Sequence, residues 1–246
     1  MAKPKEKDVK AFKEKLKVLE DGRLTVFTAV KGLVKDGTFA AGLVEKLSPD
    51  ILALGIAPED LKGLRYLRKR LEKKKKYTPD LSNIDLSYVD HLSRYGDVDA
   101  PPPCFSYALE TADNQDIPVV TLDLDNLTHT DIYVKNVLFS DLLRQSMRFR
   151  YLKKKKFKIK TAEEFVMVWD ALLNKAKGFT IVERSREEFM AESLRYLLDH
   201  NEGKKILAII ELERAKGVIE LVQHPPAKKP LKKTPKTTIT SKDEEK

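Results

Sequence analysis

The residues with the clearest chemical potential are cations. Between Arg144 and Lys160 the chain reads RQSMRFRYLKKKKFKIK, which holds nine bases and no acid. Arg144, Arg148, Arg150, Lys153, Lys154, Lys155, Lys156, Lys158 and Lys160 alternate with Phe149, Tyr151 and Phe157. Cations neutralise phosphates, and aromatic rings or guanidinium planes stack on unpaired bases. Arginine adds a fork that grips a phosphate with two parallel hydrogen bonds. A second run, RYLRKRLEKKKK, supplies Arg65, Arg68, Lys69, Arg70, Lys73, Lys74, Lys75 and Lys76 against a single acid. With the basic ends 1–20 and 224–246, these blocks carry +23 against a chain total of +9, so the remainder carries −14. Segregation of this kind attracts polyanions.

Other chemistry has less material. Cys104 is the only cysteine, which excludes an internal disulfide framework and a multi-cysteine zinc site, and there are four histidines. Asp123 and Asp125 follow an apolar run, with His129 four residues on; their spacing reads as carboxylates at a strand end, capping a helix that starts near Thr130. Cys104 reads as a small residue opening a helix, and His200 as a last-turn histidine ahead of Gly203. His91 has no visible partner in the sequence. Phosphate-cradling glycine patterns and the nucleophile-elbow motif are absent. No metal or cofactor is expected.

The elements that carry these residues alternate between strand and helix. Val9, Phe12, Leu16 and Leu19 have helical spacing, which predicts an amphipathic helix over 7–20. Strands are predicted at Leu24–Val30, Ile51–Ile56, Ile117–Asp123 and Ile206–Ile210. Helices are predicted around Phe39–Leu47, from Pro58 into the first basic block, over 104–113, from about Asp131 into the second block, after the Thr161–Glu164 capping box, and over Glu183–His200. Residues 77–103 read as an acidic, proline-rich insertion with one short helix near Ile84–Leu92. The expected fold is α/β: a mixed, largely parallel sheet flanked by helices, with a basic helical arm at 144–160. The expected layout is a basic amino-terminal helix over 1–23, the α/β domain over 24–222 and a disordered Lys/Pro-rich tail over 223–246. The charged amino end and the lack of a long apolar run predict a cytoplasmic protein with no integral membrane association. Three glutamines, one cysteine and 35% charged residues resemble the usage of heat-adapted, archaeal-type proteins.

Four segments, in order, resemble the TraB/PrgY-like family, relatives of Tiki and ChaN-type domains. They are Phe27-Thr28-Ala29-Val30-Lys31, Ser48-Pro49-Asp50 with Ile51–Ile56, Leu122-Asp123-Leu124-Asp125, and Glu183-Arg184-Ser185 with Phe189-Met190-Ala191; Ile209–Val218 then matches the closing strand and loop. The resemblance spans roughly 24–222 and implies the same α/β fold and a two-fold homodimer. It also implies metal-dependent hydrolysis at strand ends, but the positions that would carry it are Val30, Gly55, Leu124 and Arg214, with Glu211 and Glu213 where the family has glycines. Valine and arginine cannot ligate a metal. The expectation is a non-enzymatic RNA-binding, ribosome-associated factor on a catalytically dead scaffold. As a homodimer it would bridge or sequester ribosomal particles under stress. The alternatives are a metal-dependent hydrolase and a peripheral membrane signalling protein.

Overall fold

The computed structural model describes Phe12, residues 14–72 and residues 81–226. Its centre is a five-stranded sheet of β1 (Leu16–Leu19), β2 (Leu24–Ala29), β3 (Ile51–Leu54), β4 (Val119–Thr121) and β5 (Ile206–Glu211). The spatial order is β1-β2-β5-β3-β4, parallel throughout except that β1 runs antiparallel to β2. The last strand in the chain is therefore the central one. Leu24 and Ile51 both register with Ile206, so β5 has neighbours on both sides. Its sequence ILAIIE is apolar without alternation, as a strand covered on both faces requires.

Successive side chains point to opposite faces of a strand. On one face Phe27, Leu52, Leu54, Leu207 and Ile209 pack under α1 (Val34–Leu47), α2 (Pro58–Glu72) and α4 (Pro103–Asn114). On the other, Leu24, Val26, Ala53, Ile206, Ala208 and Ile210 pack under α8 (Lys177–His200) and α9 (Leu212–Gln223). A third core joins Val30 and Leu33 to α3 (Asn83–Leu92), α7 (Ala162–Leu173) and Leu152, with Phe165 and Trp169 at its middle. Each fully buried large apolar chain here contributes about 1.5–3 kcal/mol. Helices α1 and α4 cross so closely at Gly37 that a Cβ there would lie 2.4 Å from Pro103 Cβ. Only glycine allows that approach.

Two local expectations are corrected. Leu16–Leu19 is not helix but strand β1, because pairing with β2 satisfies backbone groups that would otherwise form an open sheet edge. The single long helix from Asp131 is two helices, α5 (Asn126–Asn136) and α6 (Phe139–Lys154). Asp125 starts the first by accepting from the Thr128 N–H at 2.7 Å, and Asp141 accepts from the Leu138 N–H at 3.3 Å to start the second. Val137 and Leu138 are extended between them, with ψ of 111° and 157°. Helix α8 also begins earlier than its expected Glu183, at Lys177. The 77–103 segment does hold one α-helix, α3, opened by reciprocal hydrogen bonds between Ser82 and Asp85. Most of the expected amino-terminal helix and the tail from 227 onward lie outside the described residues.

Candidate functional site

The carboxyl ends of the parallel strands converge on charged residues. Lys31 follows β2, Gly55 follows β3, Asp123 follows β4, and Glu211 closes β5. Gly55 lies against the neighbouring backbone, where a Cβ would come within 3.2 Å of the Ile209 carbonyl. Lys31 Nζ is 3.4 Å from Glu211. Arg186 of α8 grips Asp123 at 2.6 Å and Glu183 at 2.9 Å. Arg214, buried at the start of α9, contacts Asp170, Glu183 at 3.4 Å and Glu187 at 3.4 Å. Every cation in this network is matched by carboxylates.

Burial alone would raise the Glu211 carboxyl, but Lys31, Arg186 and Arg214 hold it below its ordinary value. Glu211 in turn holds the Lys31 ammonium well above the usual lysine range. Glu213 is the exception to the pairing. Burial, then the charge of Glu211, push its carboxyl up to about 8, and its Oε2 is buried without a hydrogen-bond partner. Beside the network lies a cavity of about 410 Å³, walled by one face of α2 and by Phe105, with Lys31, Asp123, Arg186 and Glu211 at its base.

The positions where the resemblance implies metal chemistry have other surroundings. Val30 is buried in the third core, Leu124 is buried beside Asp123, Gly55 abuts β5, and Arg214 holds three carboxylates. Asp123 and Asp125 share no ligand position, since the first faces Arg186 and the second caps α5. Among the described residues no three His, Cys, Asp or Glu side chains come together as a metal site. Cys104 is buried in the first turn of α4, and burial pushes its thiol up. His200 Nδ1 lies 2.8 Å from the Tyr196 carbonyl in the last turn of α8. His91, which had no partner in the sequence, is buried against Phe157 with Nε2 3.2 Å from the Leu152 carbonyl. It closes the third core.

The two basic blocks separate sharply. In the first, Arg65 and Arg68 reach across to Asp113 of α4 at 3.2 and 3.3 Å, and Arg68 also donates to Asn114 at 3.0 Å. Lys69 sits exposed on the same helix, and Arg70 lies over the Tyr66 ring. Lys73, Lys74, Lys75 and Lys76 fall outside the described residues. In the second block, Arg144 lies 3.5 Å from Asp141, and the other eight bases have no ion pair among the described residues. Arg148 is partly tucked in, with Nη1 buried and without a hydrogen-bond partner. Arg150, Lys153, Lys154, Lys156, Lys158 and Lys160 are exposed. Of the interleaved aromatics only Tyr151 is exposed; Phe157 packs edge-on against Phe165, and Phe149 is half-buried. Lys155 Nζ lies over both the Tyr151 and Phe157 rings, at 5.0 and 5.5 Å from their centroids.

The sequence reading missed the ionic network because its partners are far apart in the chain. A signal was present nonetheless: Lys31, Asp123 and Glu211 each sit directly at the end of an apolar strand run. No helix among the described residues is long and apolar enough to cross a membrane. No family model matches this chain, and no curated protein matches it.

Proposed function

We propose that the protein is a non-enzymatic RNA-binding factor of the cytoplasm whose ligand is structured RNA of the ribosomal-subunit type. It binds through Arg144–Lys160 on a scaffold that resembles the TraB/PrgY type with its metal chemistry lost. One observation carries this reading: among the described residues eight of the nine bases of the block have no ion pair, whereas the cations at the sheet's carboxyl end are matched by carboxylates. Unmatched cations on a helix and the extended segment after it release counterions when they meet phosphates. Tyr151 offers one stacking surface beside them. Arg65 and Arg68 contribute less than their sequence implies, since Asp113 engages both. A homodimer carrying two such arms bridges or sequesters two particles, which suits a stress or dormancy role.

With about six to eight phosphates neutralised, log affinity against log salt has a slope of about −4 to −7. Converting Lys153, Lys154, Lys155 and Lys156 together to glutamate shrinks that slope and greatly weakens binding to ribosomal RNA fragments in fluorescence anisotropy. If the four-fold variant still co-sediments with ribosomal subunits at moderate salt, the block is only a solvated face and the RNA reading falls.

A further inference from the structure

The chain that leaves α6 presents its bases differently from the helix before it. Lys155 has extended backbone, with φ −71° and ψ 127°, and so does Thr161 at the start of α7, with φ −122° and ψ 153°. Between them burial alternates residue by residue. Phe157 and Ile159 turn inward and pack against the third core, whereas Lys156, Lys158 and Lys160 are exposed. That is the two-residue period of an extended chain lying on a surface. At a rise of about 3.3 Å per residue, successive exposed lysines stand about 6.6 Å apart. They form a straight row.

Contacts from the α3 region fix that row in place. His91 Nε2 lies 3.2 Å from the carbonyl of Leu152, just ahead of it, and the His91 ring stands edge-on to Phe157 at 5.1 Å. The Tyr95 hydroxyl donates to the Ile159 carbonyl at 3.2 Å, inside the row itself. Phe157 also meets Phe165 edge-on at 5.1 Å. Lys155 joins the row to the helix: its Nζ donates to the Tyr151 hydroxyl at 3.1 Å and lies over the Phe157 ring. The Tyr151 ring, 58% exposed, therefore sits beside the first lysines of the row.

A fixed spacing of cations beside one open aromatic face selects a form of RNA. We infer that Lys156, Lys158 and Lys160 track consecutive phosphates of an unpaired strand, with a neighbouring base stacked on Tyr151. The inference rests on the RNA reading and narrows it to single-stranded stretches within a structured RNA. An unpaired strand can straighten until its phosphates follow a straight row of ammonium groups, and its bases are free to stack on a ring. In a duplex the phosphates wind away from such a row, and the bases are already stacked on one another.

The test compares a fluorescein-labelled oligouridylate with an RNA duplex of the same length, by anisotropy with the full chain. The single strand binds tighter, by about fivefold or more. Lys156→Gln, Lys158→Gln and Lys160→Gln combined lower the salt slope for the single strand by about 2, three phosphates at roughly 0.7 each. The thermal melt stays in place, because all three side chains are exposed. Tyr151→Ala weakens the single strand by about fivefold or more and the duplex by less than about twofold. A duplex that binds as tightly as the single strand, with the triple variant weakening both alike, overturns the inference and leaves the RNA reading standing. A triple variant that keeps the parent's slope for the single strand also overturns it. Binding of neither RNA removes both readings. Displacement of the oligouridylate by polyglutamate as readily as by unlabelled RNA overturns the inference and assigns the row to acidic protein.

Discussion

The carboxyl end of the sheet and the α6 arm are both crowded with cations, yet they solve the same electrostatic problem in opposite ways. At the sheet end Arg186 and Arg214 are withdrawn from water while Lys31 stays half-exposed, and each is held by carboxylates from other elements. On the arm most of the bases stay in water, and among the described residues only Arg144 has a carboxylate within ion-pair distance. Desolvating a charge costs several kcal/mol unless a partner restores the loss, so the buried set must be matched for the chain to fold. Exposed charges carry no such requirement, and their placement is free to serve a ligand. Pairing therefore separates the charges that the fold needs from those that it only displays.

The largest expected effect breaks the buried side of this comparison. Arg214→Ala leaves Asp170, Glu183 and Glu187 without their shared cation, and removing one partner of a buried pair costs about 3–5 kcal/mol. In a domain of this size that lowers Tm by roughly 6–20 °C in a calorimetric scan. A smaller effect sharpens the comparison at its one unmatched buried group. The Glu213 carboxyl titrates near 8 in the fold, above its ordinary value of 4.5 in the unfolded chain. The fold thus holds that proton more tightly, so this group's contribution is complete below about pH 4.5 and is lost as pH rises toward 8. Glu213→Gln removes the loss. Urea denaturation at a series of pH values should show the variant gaining on the parent between pH 4.5 and 8, with a constant difference above. The smallest effect is on the arm. The four-fold glutamate variant at Lys153–Lys156 lowers Tm by no more than about 4 °C, since Lys153, Lys154 and Lys156 are exposed charges that add little to stability and only Lys155 gives up contacts, with the Tyr151 and Phe157 rings. A large drop there would mean that the arm's charges are structural after all.

Much of the framework was legible because it follows from local chemistry. The β2, α1, β3 and β5 segments have runs or spacings that only one element type satisfies, and Pro58 with Glu59 and Asp60 marks the start of α2. The order of the strands was not legible, because nothing local in ILAIIE says that it will insert between β2 and β3. Strand β1 escaped for a related reason. Leu16 and Leu19 suit a helix by spacing, and only the open edge of β2 makes them a strand. The arm was visible as composition, but the inward turn of Phe157 depends on a core assembled from residues some seventy positions apart. Arg65 and Arg68 looked equivalent to the arm's arginines until Asp113, more than forty residues away, was placed beside them.

The sheet ends on β4, three residues long and flanked by Pro118 on one side and the buried Asp123 on the other. A strand of that length exposes too few backbone donors and acceptors to seed a ladder, and a proline beside it removes another donor. Growth of the sheet by an incoming strand, whether from a peptide ligand or from another molecule on the way to a fibre, is blocked at this edge. Any growth of the sheet is therefore directed to its opposite edge, β1, which pairs only with β2.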